Sequence, residues 1–295
     1  MFPTSPKKLQ RYLNFLGAAP QKKWGQNFLL DTQYHVAIQK AAQLDQDDIV
    51  LEIGAGLGHL TQFLQPMVKK LFIVEIDPIM VKALNGSFAD AENIEIISED
   101  ILRKKKQLNP LVLEKVSESL GNKRLKIVAN LPYNISAPII VNFLSSSIPI
   151  SQMVFMVQKE IAERIVASPQ TEFYGPLTVQ TQIYSHAKIL KYVPAHAFFP
   201  APKVTSAILQ IVPDNKLLHT INNIDLLRTL IQATFCLRRK KISNSLQKGA
   251  NLPAISKENL QKLEEHFDLS RRPETFSVEE FIEMANILDG LLTND

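Results

Sequence analysis

The feature that most constrains the fold is a regular alternation of strand-like and helix-like segments over residues 48–168. Short runs rich in Val, Ile and Leu alternate with segments of helical periodicity. The predicted strands are 48–54, 69–77, 93–100, 124–130 and 151–158, and the helices that follow them are 59–67, 78–88, 107–120, 136–146 and 159–168. This alternation predicts a parallel sheet covered by helices on both faces. Two later strands are predicted at 187–193 and 203–212.

The character of the chain changes after Pro213, because residues 223–292 show only helical periodicity. We therefore predict an α/β domain over residues 1–215 and a small all-helical domain over 220–295. No apolar run is long enough to cross a bilayer, and the N-terminus lacks the pattern of a secretion signal. The single cysteine, Cys236, excludes an intramolecular disulfide, and we expect it to be a buried small hydrophobe. These features indicate a cytoplasmic protein with no membrane partner.

The basic residues are clustered, although the net charge is only +4 and the isoelectric point is about 9.0. The clusters are Lys22-Lys23, Arg103-Lys104-Lys105-Lys106, Arg238-Arg239-Lys240-Lys241 and Arg271-Arg272. Runs of this kind are usually solvated faces of a protein. Four of them in one chain favour a nucleic-acid partner.

A glycine-rich loop follows the first predicted strand. Gly54, Gly56 and Gly58 form a G-x-G-x-G pattern, and His59 stands where a dinucleotide-binding pattern has its third glycine. This difference disfavours a nicotinamide cofactor. Glycines at this position let the backbone approach a ligand closely. Glu52, which precedes the loop, suits a cationic ligand better than a pyrophosphate.

Acidic residues also end the next two predicted strands. Glu75 and Asp77 follow the second strand, and Glu99 and Asp100 end the third. A carboxylate at the tip of the second strand can accept both hydroxyls of a ribose. Asp100 can accept a hydrogen bond from the exocyclic amine of adenine. A ligand with ribose, adenine and positive charge but no phosphate is S-adenosylmethionine, which we predict as the cofactor.

The stretch Asn130-Leu131-Pro132-Tyr133 ends the fourth strand at the same sheet edge. The Asn130 side-chain oxygen and the Leu131 carbonyl can each accept one hydrogen of an adenine N6, which holds this poor nucleophile in line with a methyl donor. Pro132 stiffens the turn, and Tyr133 offers a ring on which a flipped-out base can stack. This chemistry requires neither a strong general base nor a metal ion. Asn130 could instead cap the following helix.

A second aromatic element, "HAFFPAPKVTSAIL" (196–209), carries Phe198 and Phe199 on a proline-rich loop. The prolines stiffen the loop, so that a ring on it could cover the other face of a flipped base. A plain hydrophobic turn that leads into the next strand explains the same pattern equally well.

Together these motifs resemble those of the ribosomal RNA adenine N6-dimethyltransferase family, most closely its bacterial small-subunit branch, which is associated with kasugamycin sensitivity. The matching segments are "KKWGQNFLLD" (22–31), "LEIGAGLGHLT", "VEIDP", "SEDIL", "NLPYNIS", "FFPAPKVTSAI" and "FCLRRKKISNSL" (235–246). The resemblance covers nearly the whole chain. It departs only slightly: the family commonly has Ile where this chain has Leu131, and often Thr where it has Ala137.

The resemblance implies a Rossmann-like methyltransferase domain followed by a helical domain that contacts rRNA. It implies transfer of four methyl groups to two adjacent adenosines in the loop of the 3′-terminal hairpin of 16S rRNA, within the small ribosomal subunit or its precursor. It also implies residue roles, including an N-terminal segment, 1–30, that contacts cofactor and RNA, and a monomeric enzyme. The implied cofactor contacts are Asn27, Leu29, Gly54, Glu75, Asp100 and Asn130; the base clamp is Tyr133 and Phe198; the rRNA contacts are Lys22, Arg238, Arg239 and Lys240.

Three other functions remain open at this point. A 23S rRNA adenine methyltransferase of the macrolide-resistance type shares the cofactor motifs, but "FCLRRKKISNSL" and the substantial helical tail favour the small-subunit branch. An adenine DNA methyltransferase is disfavoured because the chain shows no separate sequence-reading domain. A non-catalytic ribosome-assembly or transcription factor is disfavoured by the intact Asn130-Leu131-Pro132-Tyr133 turn, although an assembly role beside catalysis stays possible.

Overall fold

The computed structural model describes residues 2–103, 107–237, 240–248, 252–253 and 255–293. Its main sheet has seven strands in the order β3-β2-β1-β4-β5-β7-β6. In chain order, these are β1 (Ile49–Ile53), β2 (Lys70–Val74), β3 (Ile94–Ile97), β4 (Leu125–Asn130), β5 (Ile150–Gln158), β6 (Ser185–Val193) and β7 (Ser206–Pro213). The pairs that join β1 to β5 with one another are all parallel, which confirms the βαβα prediction.

Strand β7 departs from the parallel arrangement, because it runs antiparallel to β5 with Ser206 opposite Gln158. The link that leads into β7, residues 194–205, contains a 3₁₀ turn and a two-residue strand instead of a crossover helix. Parallel neighbours need a long crossover, usually helical, and this link does not provide one. The sheet is therefore mixed at this side.

Helices connect the parallel strands, as the sequence predicted for five of them. Those of the first 182 residues are α1 (Pro6–Phe15), α2 (Thr32–Ala42), α3 (Thr61–Leu64), α4 (Pro78–Ser87), α5 (Pro110–Leu120), α6 (Ser136–Leu144), α7 (Lys159–Ile165) and α8 (Pro176–Gln182). Asp77 begins α4 by accepting the Ile79 N–H at 2.9 Å, and Pro78 occupies the first turn. This cap explains why the chain turns sharply at the end of β2. Helices α1, α2 and α8 were not predicted.

The chain divides into two compact units, one of residues 1–162 and 187–213 and one of residues 163–186 and 214–295. The sequence-based division assigned 163–186 to the first domain, whereas these residues group with the C-terminal helices. Tyr174 shows the reason, since its fully buried ring packs against Phe235 with ring centroids 6.3 Å apart. The later boundary lies at Pro213.

The first unit has two apolar clusters that support the carboxyl edge of the sheet. In one, Leu29, Val128, Met156 and Phe198 pack with residues of α2. In the other, Leu9 and Leu13 of α1 pack with residues that include Phe28, Leu57 and Met80. The N-terminal helix is thus part of the core beneath the glycine loop. A two-residue ladder also joins Phe28–Leu29 to Phe198–Phe199.

The second unit contains the helices α9 (Ile224–Cys236), α10 (Ile242–Lys248), α11 (Lys257–Glu264) and α12 (Val278–Thr293). Phe276 and Phe281 are fully buried, and Arg271 forms a 2.6 Å ion pair with Glu280. The expectation for Cys236 was wrong, because its side chain is exposed at the last residue of α9. Within the described ranges, no helix is long and apolar enough to span a bilayer.

Candidate active site

A pocket lies at the carboxyl ends of β1, β2 and β4, where open α/β sheets bind their ligands. Eight of the predicted site residues line it: Asn27, Leu29, Gly54, Glu75, Asn130, Leu131, Pro132 and Tyr133. They come from four separate parts of the chain, namely the N-terminal segment, the glycine loop, the end of β2 and the turn after β4. The structure therefore brings together the glycine loop and the Asn130-Leu131-Pro132-Tyr133 turn that the sequence singled out.

The glycine loop passes very close to its neighbours. Gly54 and Gly56 have φ angles of +70° and +57°, a conformation that side-chain-bearing residues rarely adopt. A Cβ on Gly56 would lie 3.1 Å from the Phe28 ring, and one on Gly54 would lie 3.4 Å from Pro132. Glycine is thus required both for the turn and for the space that it leaves at the pocket wall.

Glu75 holds the glycine loop against the end of β2. Its carboxylate accepts the Gly56 N–H at 2.8 Å and the Asp77 N–H at 2.9 Å. Burial raises the pKa of Glu75, and these two hydrogen bonds oppose the rise. A carboxylate has about four acceptor positions, so it can still accept the hydroxyls of a ribose.

Glu52 is a second buried acid at the pocket, only 1% exposed. The Thr61 hydroxyl donates to it at 2.7 Å. Burial raises the pKa of Glu52 to about 8, and the neighbouring Glu75 adds to the rise. A buried acid with a single short hydrogen bond is suited to a cationic ligand, which would stabilise its charged form.

Two buried histidines, His35 and His59, complete the inner wall of the pocket. Burial lowers the pKa of His35 to about 3 and lowers that of His59 as well. Both rings are therefore neutral near pH 7. His59, at the position of the missing third glycine, donates its Nε2–H to the Pro3 carbonyl at 2.8 Å, so it anchors the N-terminal residues.

Asn130 is held in a defined orientation at the end of β4. Its Nδ2 donates to the Asn27 carbonyl at 3.2 Å, which directs the amide nitrogen toward the N-terminal segment. The next residue, Leu131, is fixed by its N–H, which donates to the Met156 carbonyl of β5 at 3.1 Å. The amide oxygen of Asn130 is thus the group left to accept a hydrogen from a substrate. The side chain does not serve as a helix cap in this arrangement.

Tyr133 is partly buried, and its hydroxyl shares a short hydrogen bond of 2.5 Å with Ser206 Oγ at the start of β7. The bond joins the turn after β4 to a strand 73 residues later in the chain. Burial also raises the pKa of the Tyr133 hydroxyl, so the ring is neutral at physiological pH. Tyr133 can therefore offer a fixed, uncharged ring at the pocket.

The N-terminal segment is joined to both halves of the pocket. Gln26 donates its side-chain amide to Asp77 at 2.8 Å, and Asn27 donates its own to the Gly25 carbonyl at 3.0 Å. Together with the Asn27–Asn130 bond, these contacts connect the ends of β2 and β4 through one short stretch of chain. The segment thus links the end of β2 to the Asn130-Leu131-Pro132-Tyr133 turn.

Two predicted site residues lie elsewhere in the structure. Strand β3 ends at Ile97, three residues before Asp100, which is exposed and accepts the Leu102 N–H at 2.9 Å. Asp100 does not contribute to the lining described above. Phe198 is only 3% exposed, and its ring packs in the apolar cluster of Leu29 and Met156. Phe198 is not among the residues that line the pocket, and its predicted role at a base clamp stays a prediction.

The predicted rRNA contacts are described only in part. Arg238 and Arg239 lie outside the described residues, and for Lys22 the structure describes the backbone of a 3₁₀ turn but not the side chain. Lys240 is exposed in the link between α9 and α10. Helix α9 ends at Cys236, before Lys240.

Several residues at the site were not identified from the sequence: Trp24, Gln26, His35, Thr61 and Ser206. Trp24 and Gln26 lie inside the "KKWGQNFLLD" segment, so their position in a motif was a usable signal. His35, Thr61 and Ser206 reach the site only through tertiary packing. No local pattern marks them.

The fold and the pocket define a Rossmann-like methyltransferase with a helical C-terminal unit. A family model described as ribosomal RNA adenine dimethylase matches residues 18–289. The "Ribosomal RNA small subunit methyltransferase A" of Alkaliphilus metalliredigens is 37% identical over 281 residues, 94% of each chain. Its counterpart from Lachnoclostridium phytofermentans is 37% identical over 289 residues, 96% of this chain and 97% of the relative.

Solved structures agree with this assignment. A dimethyladenosine transferase from Plasmodium falciparum is 25% identical, with a TM-score of 0.75 over 89% of this chain and 98% of its own. The 23S rRNA methyltransferase ErmE has the same fold at 23% identity, with a TM-score of 0.62 over 89% of this chain and 99% of its own. The chain belongs to the ribosomal RNA adenine dimethylase family of enzymes, for which S-adenosylmethionine is the methyl donor.

Proposed function

We propose that this enzyme dimethylates the exocyclic N6 of two adjacent adenosines in the loop of the 3′-terminal hairpin of 16S rRNA. The small ribosomal subunit or its precursor is the proposed substrate particle, and the names of the bacterial relatives support this choice. The observation that carries the proposal is the orientation of Asn130, whose Nδ2 is bound to Asn27 and whose oxygen is left to accept a hydrogen.

S-adenosylmethionine supplies the activated methyl group when it is bound. The pocket fits this cofactor for two reasons. Glu52 is a buried acid that has no basic partner among the described residues, and at the glycine loop a Cβ would fill the available space. Glu52 would face the cationic part of the cofactor. Glu75 would accept its ribose hydroxyls, and Asn27 and Leu29 would line the cofactor from the N-terminal segment. Asp100 remains a proposed contact of the adenine amine. This contact would require the exposed Asp100 side chain to turn toward the pocket.

The catalytic turn would act on the target adenine. The Asn130 oxygen and the Leu131 carbonyl each accept one N6 hydrogen, which aligns the nitrogen lone pair with the methyl group and stabilises the positive charge that develops on the nitrogen. Pro132 keeps both acceptors in one rigid turn. Tyr133, held by Ser206, supports the face of the base. The proton leaves the charged product to water, so no buried base is needed.

The C-terminal unit would contact rRNA through Arg238, Arg239 and Lys240, with Lys22 as a further contact from the N-terminal segment. We also propose that the enzyme acts as a monomer in the cytoplasm. Light scattering behind a size-exclusion column tests the oligomeric state, and a mass of twice the chain mass would contradict it.

Under-methylated small and large subunits, each incubated with labelled S-adenosylmethionine, test the proposed substrate. We expect label only on the small subunit, on two adjacent adenosines near the 3′ end of 16S rRNA. Label on 23S rRNA instead would identify the macrolide-resistance type of activity. Failure to label either subunit would overturn the proposal.

A further inference from the structure

Trp24 is an aromatic side chain at the pocket that the mechanism above does not use. It ends the 3₁₀ turn Lys22–Trp24, is partly buried and lines the pocket. The following residue, Gly25, has a φ angle of +63°, and a Cβ on it would lie 3.6 Å from Pro132 and 3.7 Å from the Tyr133 nitrogen. The backbone that carries Trp24 therefore lies against the catalytic turn, which is the side where the substrate base is held.

Lys23 places a positive charge on this ring. Its Nζ lies 4.1 Å from the centre of the Trp24 ring, within the distance of a cation–π contact. Lys23 is exposed, so its ammonium can also reach a ligand outside the pocket. Proteins commonly bind single-stranded nucleic acid with an aromatic ring that has a cation beside it, because the base stacks on the ring and the phosphate contacts the cation.

Besides two histidines, the aromatic residues that line the pocket are Trp24, Phe28 and Tyr133, and the Phe28 ring lies against the glycine loop, 3.1 Å from the position of a Cβ on Gly56. A base that is turned out of an RNA loop loses its stacking partners and regains them from side chains in the enzyme. Tyr133 is one such ring, and its hydroxyl is fixed by Ser206. Phe198 is buried in the apolar cluster, so it does not present its ring at the pocket.

We propose that Trp24 and Lys23 form a nucleotide-binding subsite at the pocket mouth. Trp24 stacks on the base of the target adenosine, and Lys23 contacts a phosphate of the same strand. This inference rests on the proposed function for its natural substrate, but the subsite itself can be tested with a mononucleotide.

The first experiment uses the fact that Trp24 is the only tryptophan of the chain. The cofactor site is saturated with S-adenosylhomocysteine, and tryptophan fluorescence is then followed while adenosine or adenosine monophosphate is added. We expect a saturable change with both, and tighter binding of the monophosphate. Lys23→Gln should abolish the preference for the monophosphate, whereas Lys82→Gln, an exposed lysine on α4, should retain it. A fluorescence signal that does not change with either compound would overturn the proposal.

The second experiment measures methylation of under-methylated small subunits. Loss of a base–aromatic stack predicts a KM for the subunit about 5- to 150-fold higher in Trp24→Leu, with unchanged affinity for S-adenosylmethionine. Trp24→Phe should retain most of the wild-type KM, because a ring is kept. Phe15→Leu, which removes a ring that is 83% exposed at the end of α1, should behave as wild type.

The two proposals fail in different ways. If the wild-type enzyme does not label small subunits, the proposed substrate is wrong, and the mononucleotide titration still decides the subsite. If the wild type labels them and Trp24→Leu does so with the same KM, only the subsite is wrong. A raised Kd for S-adenosylmethionine in Trp24→Leu would instead place Trp24 at the cofactor and overturn its contact with the base.

Discussion

At the scale of single residues, Asn130 is the side chain that we propose to act directly in the methyl transfer. Its amide nitrogen is bound to Asn27, and its oxygen is available to the substrate. We expect Asn130→Ala to slow single-turnover methylation about 100- to 1,000-fold, since loss of one preorganised acceptor costs ~2.7–4 kcal/mol. Asn134→Ala, an exposed asparagine in the same turn, is the matched control. A single-turnover rate near that of the wild type in Asn130→Ala would remove this residue from the chemistry.

Glu52 should make cofactor binding depend on pH. Because burial raises its pKa to about 8, the free protein holds a proton there below pH 8, and a cationic ligand must expel that proton. The affinity for S-adenosylmethionine should therefore rise as the pH increases from 6 toward about 8. Calorimetry in two buffers of different ionisation enthalpy measures the proton release directly.

The cofactor also has an amine that titrates, and this amine contributes equally to the proton release measured with the wild type and with any variant. Glu52→Gln keeps the size of the side chain and the hydrogen-bonding capacity toward Thr61 but removes the ionisation. We expect this variant to bind the cofactor more weakly and to release no proton from position 52. Identical proton release in wild type and variant would show that Glu52 does not meet the positive charge.

At the scale of elements, the short ladder between Phe28–Leu29 and Phe198–Phe199 explains the place of Phe198. Its ring is buried with Leu29 and Met156, so its removal leaves a cavity. We expect Phe198→Ala to lower the free energy of unfolding by ~3–5 kcal/mol, and Phe198→Leu to cost much less. Urea unfolding followed by Trp24 fluorescence measures both.

The sequence-based hypothesis for Phe198 makes a different prediction for the same variant. A base-clamping ring would leave stability nearly unchanged and raise the KM for the subunit. An unfolding midpoint equal to that of the wild type, together with weaker subunit binding, would therefore restore Phe198 to the clamp and contradict its role in the core.

Local patterns predicted those parts of the site that lie next to each other in the chain. The alternation of strands and helices, the glycine loop and the turn after β4 depend on short-range periodicity and turn chemistry, and all were recognisable. The burial of Phe198 and the support of Tyr133 by Ser206 depend on contacts between distant segments. The predicted strand ran to Asp100, but the strand stops with its last apolar residue, Ile97, so Asp100 lies in the loop that follows.

At the scale of the whole molecule, the distribution of positive charge should govern how the enzyme finds its RNA. In the sequence, Arg238 and Arg239 follow the first helix after Pro213, α9, and the neighbouring Lys240 is exposed. Reversal of both arginines to glutamate should weaken binding to the small subunit. The slope of log affinity against log salt should flatten by about 0.7–0.9 for each phosphate contact that is lost.

Cofactor affinity should not change in this double variant, because the pocket residues belong to the first unit. The pair Lys104→Glu and Lys105→Glu carries the same change of charge and is the matched control. If both double variants flatten the salt slope equally, binding follows net charge and the arginines have no special role.

The ladder between Phe28–Leu29 and Phe198–Phe199 also has a consequence during protein synthesis. Phe28 and Phe199 are paired although 171 residues separate them. At ~5–20 residues per second, the N-terminal segment waits roughly 10–35 s on the ribosome before its partner strand has been made. Throughout that time the nascent chain has neither the strand that pairs with Phe28–Leu29 nor the Ser206 that holds Tyr133. A nascent chain of this rRNA-modifying enzyme therefore completes its active site only when translation of the first unit is almost finished.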